Sequence, residues 1–288
     1  MSKLLNPQLA TRLSDARRQV HHAAQLAKAA GVSYLPHRAD DSHTNLEWLD
    51  AGGMLASNLV PAGTPFRVAV GVADLSLAVL DSSNVALAEF PLDGRTIADG
   101  AAWIRVQFAA LGAPAERYTL KRHYPIPHHP VDGGAAFDTT DAAAFEQLAA
   151  WFAIASDALE RVRAQNQGAS EVRCWPHHFD IATLIEVAPG KTIGAGMEPG
   201  DVYYDEPYFY LNVSPQPAEI PVTPLASGVT WHTHQWIGAV LPGSRLVSAT
   251  AREDIGAFLD SALSACRAML DATGSDPLSP SSNSPAFR

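Results

Sequence analysis

The chain is poor in the features that would assign it quickly. It has two cysteines in 288 residues, Cys174 and Cys266, far apart in sequence. They form no metal-type pair, and a disulfide between them is not the expected state in a reducing compartment. Lys and Arg total 20 against 30 Asp and Glu, a formal net charge of −10, and the basic residues never cluster. A duplex or anionic-membrane surface needs a basic block, so neither nucleic acid nor membrane is an expected partner. No apolar run approaches 18 residues, and residues 1–20 are charged rather than signal-like, which predicts a cytoplasmic protein. Missing too are a Gly-rich phosphate loop, a Gly-x-Ser-x-Gly elbow and His-Glu-x-x-His, so nucleotide binding and two familiar hydrolase designs have no support.

What is present is a hydrophobic content of 47%, enough for a large core. Asn6-Pro7 reads as a helix start, followed by an apolar stripe from Leu9 to Ala27 that Gly31 is expected to stop. His21 and His22 on this helix read as a core-edge or solvated pair, because neither has a carboxylate or histidine at i+4. Strands are expected within Thr44–Leu59, then over residues 66–72, 74–80 and 85–90 as an antiparallel meander. Thr96 with Asp99 forms a capping box for a helix ending at Gly112, and Tyr118 to Tyr124 alternates like a strand. A Pro- and Gly-rich linker precedes residue 135, a long helix fills residues 138–167, and strands follow over 171–197, 207–213 and 229–241. The last helix starts at Thr250 with Glu253 as capping partner and places Cys266 on its apolar stripe. These elements predict an α+β protein of two similar halves, 1–134 and 135–272, each a small antiparallel sheet with helices on one face, and a disordered tail over 273–288. The similarity rests on laying Asp74–Gly94 on Asp180–Gly200 without a gap, which sets Val72 opposite His178 and Gly71 opposite His177.

The densest chemistry lies in Arg173-Cys174-Trp175-Pro176-His177-His178-Phe179-Asp180. Strand geometry would place His178 and Asp180 on one face, leaving His177 a structural role. In Trp231-His232-Thr233-His234-Gln235-Trp236, the same geometry aligns His232, His234 and Trp236. If the two strands are neighbours, His178, Asp180, His232 and His234 could hold one divalent transition metal, zinc, iron or manganese. Between them, Glu206 is the candidate general acid or base, paired with Asp201 or Asp205. Tyr204, Tyr208, Tyr210, Trp175, Trp236 and His43 are candidate ligand contacts. Two functions follow: a metal-dependent hydrolase-like enzyme acting on a small polar molecule, or a metal-free module binding a sugar-like or other polar ligand.

Several of these stretches together resemble a bacterial protein family defined only as a domain of unknown function. They are Asp41-Ser42-His43-Thr44-Asn45-Leu46, the segment from Arg173 to Asp180, Pro199-Gly200-Asp201, Glu206-Pro207-Tyr208 and Trp231-His232-Thr233. The resemblance implies a bacterial, cytoplasmic α+β protein and carries no activity. Tyr210-Leu211-Asn212-Val213 departs from the aromatic, proline-rich version of that segment.

Overall fold

A computed structural model describes residues 12–217, 225, 229–246 and 250–272. The Asn6-Pro7 helix start, Pro221, Pro224 and the tail at 273–288 lie outside the described residues. The protein is a mixed α and β structure whose strand pairings are antiparallel. The chain divides into two compact units. The first holds residues 12–153 with 173–179, and the second holds 154–172 with 180 onward. The division falls inside one helix, α3 (Ala142–Gln165). No helix among the described residues is long and apolar enough to cross a membrane.

In the first unit, helix α1 (Leu13–Tyr34) lies across β2 (Met54–Ser57) and β3 (Arg67–Gly71). The expected stop at Gly31 does not occur. A Cβ at Gly31 would stand 2.2 Å from the His43 carbonyl oxygen, so glycine is there for a close backbone crossing inside the helix. Strands β1 (Leu46–Leu49), β2, β3, β4 (Ser76–Leu80) and β5 (Ala86–Pro91) form the expected meander, and β6 (Arg173–Trp175) pairs with β1. Alternation puts Leu55, Val70 and Leu77 opposite one another on one face. Ala56, Ala69 and Ala78 form a small-residue cluster on the other. Helix α2 (Ile97–Ala110) has the full Thr96–Asp99 capping box, and Gly100 lets it approach Leu26, Leu77 and Leu92. The stretch from Tyr118 to Tyr124 is not a strand. Its polar groups are met by α1 instead: Thr119 N–H donates to Ser33 Oγ, the Tyr118 hydroxyl to the Leu26 carbonyl, and Lys28 Nζ to the Lys121 carbonyl. Once those partners exist, a β ladder is not needed to satisfy the backbone.

In the second unit, β7 (Asp180–Ala188), β8 (Lys191–Glu198), β9 (Tyr208–Ser214), β10 (Thr230–His232) and β11 (Gly238–Pro242) lie in the order β7-β8-β9-β11-β10. The strand expected over residues 229–241 is therefore a hairpin, with 233–237 as its turn. Side chains of odd number on β7, β8, β9 and β11 make an apolar face: Ile181, Ile185, Ile193, Ala195, Met197, Phe209, Leu211 and Leu241 are all buried. Helix α4 (Ala251–Ala272) covers this face with Ile255, Phe258, Leu259 and Cys266. Lys191, on the same side of β8, reaches the Leu270 carbonyl at 2.5 Å. Cys266 is a core residue, as its spacing predicted.

Both units run from a helix through five antiparallel strands to a helix, but the ungapped overlay does not follow that order. It sets the last hairpin of the first meander, β4–β5, on the first hairpin of the second, β7–β8. Asn84 (φ 62°) and Gly190 (φ 74°) fall on each other because both hairpins need a left-handed turn residue. The overlay thus matches two tight turns, and the contrast of His178 with Val72 has no structural footing.

Phe258→Ala should remove the largest side chain that α4 buries and lower stability by roughly 3–5 kcal/mol. Urea unfolding followed by circular dichroism checks this, and a loss under about 1 kcal/mol would mean α4 does not seal the apolar face.

Candidate functional site

The sequence places reactive residues at 173–180, and the fold divides them. Pro176 to Phe179 form a tight turn rather than the start of a strand. The Trp175 carbonyl accepts from the His178 and Phe179 amides at 3.2 and 2.7 Å, and Phe179 takes a left-handed φ of 75°. That conformation is costly for a bulky residue, and packing offsets it. Phe179 is stacked on the His21 ring at 4.8 Å and touches Phe152, while the Pro176 carbonyl accepts from His21 Nε2 and Gln25 Nε2, each at 2.8 Å. His21 is thus a core residue that fastens the turn to α1. A carbonyl can only accept, so Nε2 of His21 carries the proton. Burial draws its pKa down to about 3.

Because the segment is a turn, the i, i+2 rule that joined His178 to Asp180 does not apply. His178 is exposed in the first unit. His177, assigned a structural role from the sequence, is the more enclosed of the two, beside Tyr124 at 5.7 Å and Trp175 at 6.0 Å. Burial and then His178 lower its pKa to about 4. His43 is buried in the same unit, its Nδ1 accepting from the Arg38 amide at 3.3 Å. Lys28, which the sequence reading passed over, lies buried over the Tyr124 ring, and burial lowers its amine to about 8. Trp175 and His43 therefore belong with this histidine-rich group, not with the tyrosines.

The second unit assembles the rest. The face of its sheet opposite α4 carries the even-numbered side chains. Asp180 opens β7 there, Glu198 pairs with Tyr208, Gly196 with Tyr210 and Gly194 with Asn212, while Gly238 pairs with both Asn212 and His232. The glycines form a floor on which larger groups lie. A Cβ at Gly196 would come within 2.6 Å of the Tyr210 ring, one at Gly194 within 2.4 Å of Asn212, and one at Gly238 within 2.4 Å of Trp236. Tyr210 donates to Asp180 and Tyr208 donates to Asp201 at 2.8 Å. Burial first, then the neighbouring carboxylates, hold both phenols far above the ordinary tyrosine pKa, so they stay protonated donors.

One edge of this face is an aromatic wall. Trp236 stacks on His232 at 4.2 Å, and Tyr203 stands edge-on to both rings. His232 Nε2 donates to the His234 carbonyl at 2.7 Å, and Nδ1 accepts from the Tyr204 hydroxyl at 3.0 Å. Both nitrogens are engaged, which leaves no lone pair for a metal. His234 lies in the exposed turn, not on a strand with His232. Among the described residues, no group of three or more His, Cys, Asp or Glu side chains is placed to hold a metal ion. The expected set of His178, Asp180, His232 and His234 depended on alternation along two strands, and both histidine pairs run into turns.

The two expected catalytic carboxylates hold loops together. Asp201 Oδ1 accepts from the Tyr203 and Tyr204 amides at 2.8 and 2.9 Å while Oδ2 holds Tyr208. Glu206 accepts from the amide and the hydroxyl of Ser244 at 2.6 and 3.0 Å. Glu198 and Asn212 were missed, although Gly194-x-Gly196-x-Glu198 already marks one face of a strand. Compared with protein-family models, with curated proteins and with solved structures, the chain matches none.

Gly196→Ala should push the Tyr210 ring off its floor and away from Asp180, costing about 1–3 kcal/mol as an overpacked contact. In a Tyr210→Ala background the same change should cost little, and a double-mutant cycle on urea unfolding reads the difference.

The buried histidines also predict a pH dependence. His21 has a folded pKa of about 3 against about 6.5 when unfolded, so between these values the unfolded chain binds a proton that the fold excludes. Stability is full above pH 6.5 and is lost as pH falls, with a slope of about 1.4 kcal/mol per pH unit for each such histidine. His21→Gln keeps a donor for Pro176, and the urea midpoint between pH 6.5 and 5 should then fall less steeply than in wild type.

Proposed function

We propose that the second unit is a metal-free binding module for a small, hydroxyl-rich polar ligand of sugar-like chemistry, seated on the sheet face opposite α4. The observation that carries this reading is the glycine floor of Gly194, Gly196 and Gly238, bounded by fixed aromatic rings and by the Tyr210–Asp180 and Tyr208–Asp201 pairs. Ligand pockets combine apolar walls with a few placed polar groups, and tyrosine and tryptophan supply area at low entropic cost. Asn212 and Glu198 add an amide and a carboxylate to the same face. The commitment of both His232 nitrogens favours this reading over the metal-dependent hydrolase, since that ring works as a wall for Trp236.

Isothermal titration calorimetry of the full chain against mono- and disaccharides, before and after chelator treatment, tests it. Saturable binding that survives chelation and weakens at least tenfold in Trp236→Ala is expected, a loss of about 1.4 kcal/mol or more. Binding that disappears on chelation, or no binding by any polyhydroxylated probe, would overturn the reading.

A further inference from the structure

The first unit contains a cavity of about 460 Å³ whose lining includes none of the candidate catalytic, metal or ligand residues read from the sequence. Its apolar lining comes from Leu26, Ile97, Ala98, Leu120 and Val131, and its polar groups are His22, Gln25, Thr96, Arg122 and Asp132. The volume falls within the range of small-molecule sites.

His22 is the unusual member. Its side chain is 1% exposed, and Nε2 lies 3.0 Å from the Pro127 carbonyl. The carbonyl only accepts, so Nε2 carries the proton and Nδ1 is left as a lone-pair acceptor. Among the described residues Nδ1 has no hydrogen-bond partner, and Asp132 Oδ1, another acceptor, lies 3.8 Å away. Burial pushes the pKa of His22 below the ordinary histidine value, so the ring is neutral near pH 7 and does not itself supply the proton between the two acceptors. An unsatisfied buried acceptor is costly, so His22 Nδ1 calls for a donor, while the facing Asp132 Oδ1 already accepts one from Arg122.

Gln25 does not supply that donor, because its amide nitrogen is bonded to the Pro176 and His21 carbonyls. Arg122 donates to Asp132 at 3.0 Å and, among the described residues, makes no hydrogen bond to His22 Nδ1. The start of α2 borders the cavity, but the Thr96–Asp99 box already caps it with a carboxylate, which disfavours an anionic guest.

We propose that this cavity is a second binding site, for a small molecule with an N–H or O–H donor head on an apolar body. The head lies between His22 Nδ1 and Asp132, and the body lies against Leu26, Leu120 and Val131. An ammonium and a neutral hydroxyl share this chemistry, and the test separates them. The site belongs to the first unit and does not depend on the function proposed for the second.

The experiment uses the full chain labelled with ¹⁵N-histidine, following the imidazole nitrogens by NMR during titration with benzylamine, benzyl alcohol and benzoate. The His22 Nδ1 resonance is expected to move saturably with benzylamine, with benzyl alcohol or with both, and to stay in place with benzoate. A response to the amine alone assigns an ammonium head, and one to the alcohol alone assigns a neutral head. Ala98→Leu, at an exposed position in the first turn of α2, narrows the cavity and should weaken the binding at least tenfold. No movement of His22 with either donor overturns the proposal. So does an equal response to benzoate, or unchanged affinity in Ala98→Leu.

Discussion

The alternation of side chains along a strand is the constraint on which the second unit depends. Successive residues point to opposite faces, so sealing Ile193, Ala195 and Met197 beneath α4 obliges Gly194, Gly196 and Glu198 to face the other way. The same rule on β9 sets Phe209 and Leu211 against α4 and turns Tyr208, Tyr210 and Asn212 to the opposite face. A one-residue slip in register would set the polar side chains against α4 and take the apolar ones away from it. The hydrophobic seal and the polar face are therefore a single arrangement, and the core fixes the position of each candidate ligand contact.

The first unit depends on a different interaction, the hold of α1 on the turn at Pro176–Phe179. One carbonyl receives two side-chain donors, and one aromatic ring in a left-handed conformation is stacked on an imidazole. The residues concerned are more than 150 positions apart in sequence. They make His21, read from the sequence as core-edge or solvated, part of the core, and they leave His178, the candidate metal ligand, at the surface. His22, its neighbour on the same helix, is directed instead toward the cavity with Arg122 and Asp132.

Much of the secondary structure was legible. The meander of β3 to β5, the capping box at Thr96, the long helix before β6 and the apolar stripe through Cys266 were all read from period and punctuation. The misreadings have specific causes. Tyr118–Tyr124 alternates, but its backbone finds partners on α1 in place of a ladder. Gly31 looks like a stop, but it is a crossing point inside a helix. His232-Thr233-His234 looks like one strand face, but a turn begins after His232. Each error treated a local pattern as sufficient where a distant partner or a chain reversal decided the outcome.

The site was legible as a set of residues and not as an arrangement. Tyr204, Tyr208, Tyr210, Trp236 and His232 were named from the sequence and do come together in one unit, because four of the five lie on or beside adjacent strands. Amino-acid order determined the periodicities, the caps, the glycine positions and the apolar face. Tertiary structure decided which histidine nitrogens are occupied, which carboxylates serve as loop fasteners, and that His43 and Trp175 belong with a different group. The division follows from range: periodicity is set by neighbours a few residues apart, whereas hydrogen-bond occupancy is set by whichever distant group packing brings within about 3 Å.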